Sequence, residues 1–220
     1  MASVTSNELY HQVRDTQPPI LYLTGKTCTG KTTFSDRLRV DCGYEVINLD
    51  DVVNDSIVKP QSLQASQGDV FVSVYKTADN AEWIDTFANA AQKRIKDLLA
   101  RDKKVIVDGA IANPRVIQRI LDNLPAALFV YFHPIPSSAD YLRNLTNRFM
   151  GTTADNQNGL PLNFWNCINQ DLFAGFCHDR VITTELEQGI ARYAQQSAES
   201  SIERLETLRK DFPKIAVVEV

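Results

Sequence analysis

The sequence has little of what marks membrane, disordered or fibrous proteins. Its longest uninterrupted apolar run spans residues 126–132, far short of the roughly 18 to 20 residues that a membrane-spanning helix needs. Glycine and proline contribute only nine residues each to a chain of 220, which excludes collagen-like and low-complexity chains. The hydrophobic fraction of 44% is enough to form a substantial core. The composition therefore predicts one globular domain over residues 1–220 that does not span a membrane.

Cysteine is also scarce, and its spacing disfavours metal and redox motifs. The four cysteines are Cys28, Cys42, Cys167 and Cys177, and no two of them form a Cys-x-x-Cys pair. Reduced, structural thiols are therefore expected. Residues 1–16 lack the charged start and apolar centre of a secretory signal, so a cytoplasmic location is predicted.

The chain has no surplus of basic residues. Its 27 acidic and 23 basic residues give a formal net charge of −4 and a pI near 5.4. Proteins that bind DNA or RNA through the phosphate backbone carry an excess of positive charge. Non-specific binding to nucleic acid is therefore not expected, although a local basic site is compatible with this balance.

Five short apolar segments of β type alternate with longer helical segments. The β-type segments cover residues 20–24, 44–49, 105–107, 127–132 and 215–220. Amphipathic helices are predicted after residue 30, over 81–101, from Asn113 to Pro125, from Ser137 or Ser138 to Met150, and from Thr184 onward. Such alternation predicts a three-layer α/β fold with a five-stranded parallel sheet and helices on both faces.

Finer expectations accompany this fold. The fourth β-type segment is apolar on both alternating sets of side chains, which indicates a central strand. Val40 and Ile202 are expected on the apolar faces of their helices, and Gly151 in the position that follows a helix C-terminus. Residues 151–180 interrupt the pattern with a polar stretch and then aromatic residues, so a partly helical, lid-like excursion is predicted there.

A phosphate-binding loop follows the first β-type segment. Residues 25–32, GKTCTGKT, satisfy the pattern G-x-x-x-x-G-K-[ST]. The backbone N–H groups of such a loop and the following helix N-terminus present partial positive charge to phosphate oxygens. Lys31 is expected to reach the β and γ phosphates, and the Thr32 hydroxyl to take one position on Mg²⁺. The residues predicted to bind the nucleotide are Gly25, Lys26, Thr27, Cys28, Thr29, Gly30, Lys31, Thr32 and Thr33.

Acidic residues follow the second and third β-type segments. Asp108 fits the acid that holds Mg²⁺ in nucleotide sites, the alternative being a helix or turn cap. Asp50 and Asp51 stand where one carboxylate can face an acceptor hydroxyl, and an N-cap for the stretch from Val52 is an equal alternative for either. Gly109 stands where many motor and transport ATPases carry a water-activating glutamate, which disfavours simple ATP hydrolysis.

Residues 20–38 (ILYLTGKTCTGKTTFSDRL), 47–52 (INLDDV) and 105–109 (VIVDG) together resemble the P-loop small-molecule kinases, which include nucleoside, nucleotide and shikimate kinases. In that superfamily an acid after the second strand orients the acceptor hydroxyl, which corresponds to Asp50 or Asp51. The resemblance implies ATP as the phosphoryl donor, Mg²⁺ as the cofactor and a small-molecule acceptor, most simply a nucleoside or nucleotide.

The resemblance departs from one branch of the superfamily. In adenylate kinases a Pro-Arg pair follows the segment similar to VIVDG almost at once, whereas here Pro114-Arg115 comes later. This departure argues against a nucleoside monophosphate as the acceptor. Lys26 is a second departure, because small or uncharged residues are common at that position; it is expected either to add a cation near the nucleotide or to point to solvent.

In members of this superfamily, an arginine-bearing lid between the fourth strand and the last helix covers the active site. Arg148 is most similar to the arginine near the lid's start and is expected to contact the transferring phosphoryl group. Arg143, Arg180 and Arg192 are further candidates, each also compatible with a solvated helix arginine.

Other residues near the lid are expected to be structural. His133 follows the fourth β-type segment and is expected to cap the strand end rather than approach the lid. Four aromatic residues are expected to pack beneath the lid rather than to form a pocket for the acceptor. They are Phe164, Trp165, Phe173 and Phe176.

Two other functions stay open. A kinase acting on polynucleotide 5′ ends is suggested by the pair Asp50 and Asp51 and opposed by the acidic balance. A non-catalytic, regulatory nucleotide-binding module would use the polar lid and the long last helix to bind a partner.

Overall fold

The computed structural model describes residues 3–52, 81–111, 113–151, 164 and 167–220. The strands are β1 (Ile20–Gly25), β2 (Glu45–Asn48), β3 (Val105–Asp108), β4 (Ala127–His133) and β5 (Ala216–Glu219). The helices are α1 (Ser6–Thr16), α2 (Lys31–Cys42), α3 (Ala81–Leu99), α4 (Pro114–Leu121), α5 (Ala139–Met150), α6 (Gln170–Asp179) and α7 (Thr184–Asp211). Across the described ranges, no helix is both long and apolar enough to cross a membrane.

The five strands form one parallel sheet in the order β2-β3-β1-β4-β5. This confirms the predicted α/β fold. β1 is the middle strand and all six of its residues are buried, while β4 is an interior strand between β1 and β5. Because all strands are parallel, the carboxyl ends of β1, β2 and β3 lie at the same edge, where ligands of open α/β sheets bind.

Different helices pack on the two faces of the sheet. On one face, residues of α3, α4 and α7 join the core, among them Phe87, Ile117 and Leu208. On the other face α1 and α2 do so, among them Leu9 and Phe34. The predicted arrangement of a sheet between two helical layers is therefore confirmed.

A separate apolar cluster joins α5, α6 and the first half of α7, and we call it the aromatic cluster. Its buried aromatic residues are Tyr141, Phe149, Phe164, Phe173, Phe176 and Tyr193. The Phe149 ring contacts those of Phe164, Phe173 and Phe176, with centroid separations of 5.7, 5.8 and 4.4 Å. Burial of these large rings stabilises the packing of the three helices. Trp165 lies outside the described residues, as does much of the predicted excursion over residues 151–180.

No helix is predicted from the sequence within residues 1–16, yet α1 lies there. Thr5 and Glu8 form a capping box: the Thr5 hydroxyl accepts from the Glu8 N–H (3.2 Å) and the Glu8 carboxylate accepts from the Thr5 N–H (2.8 Å). The side chains of Leu9 and Val13 are fully buried. Their spacing of four residues places them on one helical face.

Three finer predictions are wrong. Val40 is 74% exposed and Ile202 is 49% exposed, because each is rotated about the helix axis away from the buried residues of its helix. α4 ends at Leu121, before Pro125, since Asp122 has left the helical conformation (φ −57°, ψ 129°). Gly151 directly follows the C-terminus of α5 at Met150, as predicted, but its φ of −74° is not the left-handed conformation that favours glycine.

Candidate functional site

The loop between β1 and α2 has an unusual backbone. Gly25, Cys28 and Gly30 have φ values of +131°, +65° and +81°. A Cβ atom on Gly25 would lie 2.3 Å from the carbonyl O of Phe132 on β4, so only glycine fits there. Cys28 adopts the left-handed conformation at a cost of about 1–2 kcal/mol, and such strain is concentrated at functional sites.

The side chain of Lys31, the first residue of α2, turns back onto this loop. Its Nζ donates to the carbonyl O of Lys26 (2.6 Å) and, at longer range, to that of Gly25 (3.4 Å). Burial lowers the pKa of Lys31, while the nearby Asp108 carboxylate acts in the opposite direction. A buried ammonium that can exchange carbonyl partners for phosphate oxygens is suited to binding an anion.

Two carboxylates lie at the same edge of the sheet. Asp108 ends β3, is only 7% exposed, and accepts a hydrogen bond from the Ser35 hydroxyl (3.3 Å). Burial raises the pKa of Asp108 and of Asp50, and the Asp108 charge raises the pKa of Asp50 further, against the opposing effect of Lys31. These carboxyl groups therefore accept protons more readily than solvated ones do.

One cavity of about 360 Å³ joins the loop to these acids. It is lined by residues 27–33, by Asn48, Asp50, Asp108 and residues 109–110, and by Asn144, Asn147 and Arg148 of α5. The structure thus brings Asp50 to the cavity, whereas the Asp51 side chain is exposed and does not line it.

Arg148 is the one of the four candidate arginines, all within the described residues, that lines this cavity. Arg143 forms an exposed ion pair with Asp140 (2.6 Å). Arg180 donates to the carbonyl O of Met150 (2.6 Å), and Arg192 donates to that of Cys167 (2.9 Å).

Three asparagines also line the cavity, and none of them is predicted from the sequence as a site residue. Asn144 Nδ2 donates to the carbonyl O of Cys28 (3.2 Å) and so holds the strained part of the loop. Asn48 Oδ1 accepts from the Asp50 N–H (2.9 Å). The third is Asn147, and the spacing of Asn144, Asn147 and Arg148 along α5 is the sequence signal for a shared helix face.

Two predicted residues point elsewhere. The Lys26 ammonium donates to the Ser200 hydroxyl on α7, so this side chain neither points to solvent nor lines the cavity. The His133 ring bonds through Nδ1 with the Ser201 hydroxyl (2.9 Å), and burial lowers the pKa of the ring. The contact with α7 agrees with a structural role for His133.

The oxygen groups at the site match the chemistry of Mg²⁺ binding. Thr32, which carries a hydroxyl, and Asp108, which carries a carboxylate, line the same cavity beside the loop. Mg²⁺ prefers oxygen ligands and keeps several waters, so one or two protein oxygens are enough to hold it beside a phosphate. The residues present therefore fit a Mg²⁺ ion.

The chain is similar to a protein family and to solved structures. A family model described as an AAA domain matches residues 20–153, more than half of the chain. Among solved structures, that of a tunicamycin resistance protein from Deinococcus radiodurans is similar over 83% of this chain and 95% of that chain, with 15% identity and a TM-score of 0.43. No curated protein matches the chain. The matched residues of the family model begin at β1 and end just after α5.

Proposed function

Because the chain belongs to the AAA domain family and has a nucleotide-binding P-loop, we propose that it is a kinase that transfers the γ-phosphoryl group of ATP to a small molecule. The observation that carries this proposal is the cavity shared by Lys31, Asp50 and Arg148. Phosphoryl transfer needs mainly positioning and charge stabilisation together with a group that receives the acceptor's proton. A nucleoside or nucleotide is the proposed acceptor, because residues 20–38, 47–52 and 105–109 together resemble the P-loop small-molecule kinases, which include nucleoside and nucleotide kinases.

The P-loop is proposed to hold the triphosphate. Its N–H groups and the N-terminus of α2 would bind phosphate oxygens, and the Lys31 ammonium would exchange its carbonyl partners for β- and γ-phosphate oxygens. Thr32 and Asp108 would hold Mg²⁺. That ion, when bound, neutralises charge on the β and γ phosphates.

Asp50 is proposed as the group that receives the acceptor's proton. The acceptor hydroxyl oxygen forms a bond to the γ-phosphorus while the bond from that phosphorus to the bridging oxygen breaks, which releases ADP. The hydroxyl proton passes to the Asp50 carboxylate. Its raised pKa makes Asp50 a better proton acceptor near neutral pH than a solvated carboxylate.

Arg148 is proposed to stabilise the charge on the phosphoryl group during transfer. A guanidinium spreads its charge over a planar set of donors that matches phosphate oxygens. Arg148 lies on the same face of α5 as Asn144 and Asn147, which line the cavity with it. We propose that residues 151–180, which follow α5, act as a lid over this site within one domain spanning residues 1–220.

The test is ADP formation from Mg²⁺-ATP with and without a panel of acceptors. The panel contains nucleosides, nucleoside monophosphates, sugars, shikimate-like acids and an oligonucleotide with a free 5′ hydroxyl. We expect a nucleoside or nucleotide to stimulate ADP formation. Stimulation by the oligonucleotide alone would replace the proposal with a polynucleotide end kinase, and ATP binding with no stimulation would replace it with a regulatory module.

A pair of variants tests the role of Asp50. We expect Asp50→Asn to lower kcat by at least about 100-fold, the lower end of general-base effects, without weakening ATP binding. Asp51→Asn is the matched control, because it removes the same charge one residue away, and its kcat should stay within about threefold of the wild type. Equal losses in both variants would contradict the proposed role.

A further inference from the structure

Lys26, the second residue of the P-loop, is buried and is not among the residues that line the nucleotide cavity. It is only 8% exposed and its ammonium donates to the Ser200 hydroxyl of α7, 174 residues further along the chain. The Ser200 hydroxyl donates in turn to the carbonyl O of Ser197 (3.4 Å). Burying an ammonium is unfavourable unless it is paired, so this contact fixes both the lysine and the helix.

The backbone of Lys26 holds the same loop from within. Its carbonyl O accepts hydrogen bonds from Lys31 Nζ (2.6 Å) and from the Thr29 hydroxyl (2.7 Å). Its N–H donates to the carbonyl O of Phe132 on β4 (3.4 Å). The peptide that now holds the Lys31 ammonium is thus anchored to α7 by its own side chain.

α7 connects this anchor to two other parts of the molecule. Near the middle of the helix, the Ser197 hydroxyl accepts from the Tyr141 hydroxyl of α5 (3.1 Å), and the Ser201 hydroxyl bonds with that of Tyr131 on β4 (3.0 Å). The first half of α7 packs in the aromatic cluster, and its last turns pack against the sheet. A displacement at Ser200 would therefore disturb the packing of the aromatic cluster and the packing of α7 against the sheet.

We propose that Lys26 is a positioning residue that couples the P-loop to α7, so that nucleotide binding and the order of the aromatic cluster depend on each other. When phosphate replaces the Lys26 carbonyl as the partner of Lys31, the Lys26 peptide loses one of its hydrogen bonds. The link to Ser200 then keeps that peptide, and with it the shape of the loop, in place.

Such coupling is reciprocal, because a nucleotide that favours one arrangement of α7 is itself bound more tightly in that arrangement. Burial lowers the pKa of Lys26 to about 8, with Arg204 acting in the same direction and Glu203 opposing it. The amine is therefore mainly protonated at pH 7 and donates as a cation. The inference depends on nucleotide binding by the P-loop and not on phosphoryl transfer.

A double-mutant cycle tests the link at pH 7. The Kd of Mg²⁺-ATP is measured by calorimetry for the wild type, Lys26→Met, Ser200→Ala and the double variant. We expect Lys26→Met to weaken binding by about 5- to 20-fold, within the usual range of coupling between sites, and Ser200→Ala by a smaller factor. The double variant should bind no more weakly than Lys26→Met, because one contact is removed in both.

Lys210→Met is the matched control, because Lys210 is an exposed lysine near the end of the same helix, and its Kd should equal that of the wild type. The proposal would be overturned if the loss of ATP affinity in the double variant equalled the product of the losses in the two single variants. An unchanged Kd in Lys26→Met would also overturn it. If Lys26→Met does not fold, as judged by circular dichroism, a Kd unchanged in Ser200→Ala overturns it.

Hydrogen exchange separates coupling from a merely structural role. In the wild type, saturating Mg²⁺-ATP should slow amide exchange in α6 and in the first half of α7, far along the chain from the loop. In Lys26→Met, ATP raised to saturation should no longer do so. Equal slowing of amide exchange by ATP in both proteins would show that the effect of ATP on α7 does not depend on Lys26.

Discussion

Substitution of Gly25 by alanine is the sharpest test of the P-loop geometry. The new Cβ would lie 2.3 Å from the carbonyl O, 2.8 Å from the N and 3.0 Å from the carbonyl C of Phe132. All three atoms belong to the backbone of β4, which pairs with β1 at this position, so no side chain can rotate away. The loop and the end of β4 would have to separate.

The cost can be estimated from two contributions. Forcing alanine to the φ of +131° that Gly25 adopts costs about 1–3 kcal/mol, and overpacking a tightly packed interior costs about 1–3 kcal/mol more. We therefore expect Gly25→Ala to lower the free energy of unfolding by about 2–6 kcal/mol. Gly30 and Gly43 also have positive φ, but a Cβ on either would have no atom within 4 Å, so their alanine variants should lose only about 1–2 kcal/mol.

Equilibrium unfolding in urea, followed by circular dichroism, measures all three variants on one scale. Gly43→Ala is the better control, because Gly43 lies at the end of α2 and outside the P-loop. A loss in Gly25→Ala within about 1 kcal/mol of the loss in Gly43→Ala would refute the reasoning, since it would mean that the close approach to β4 relaxes freely.

Three further predictions concern charged groups at the site. Lys31→Ala should keep the circular dichroism spectrum of the wild type but lower ADP formation by at least about 100-fold, in line with losses of electrostatic transition-state stabilisation; wild-type turnover would contradict the assigned site. The pKa of Asp50 is raised, chiefly by burial, so on acidification kcat/KM should begin to fall at a pH above the pKa range of solvated carboxyl groups. A fall that begins only inside that range would contradict the role of Asp50 as the base. Burial also raises the pKa of Asp108, so the folded state binds this proton more tightly than the unfolded state, and its ionised form at pH 7 opposes folding. Asp108→Asn should therefore raise Tm in the absence of ATP, by about 2–4 °C for each kcal/mol of stability gained in a domain of this size; the gain should shrink as pH falls, and a lower Tm would contradict it.

The fold and the P-loop were predictable because their signals are local. The glycines and Lys31 stand at fixed spacing, and a buried parallel strand reads as an apolar run wherever it lies in the sheet. The choice between Asp50 and Asp51 was not. Residues 49–52 are helical, so neighbouring side chains point about 100° apart, and the packing of that turn decides which one meets the cavity.

Long-range contacts account for the other differences. The Lys26 ammonium finds its partner on a helix 174 residues away, and Asn144 is paired with a carbonyl group 116 residues away. Neither pair has a sequence pattern, because a lysine and a serine are common at any spacing and every residue carries a backbone carbonyl group. α1 is a different case, since its capping box and the apolar spacing of Leu9 and Val13 are local signals.

The central position of β1 has a consequence for biosynthesis. Its partners are β3 and β4, which follow it by about 80 to 110 residues. At about 5–20 residues per second, a ribosome needs several seconds to tens of seconds to complete both strands. During that interval the apolar residues of β1 have no strand beside them, and the tight fit of Gly25 against Phe132 cannot form. We therefore expect the newly made chain to be prone to aggregate before residue 132 has emerged.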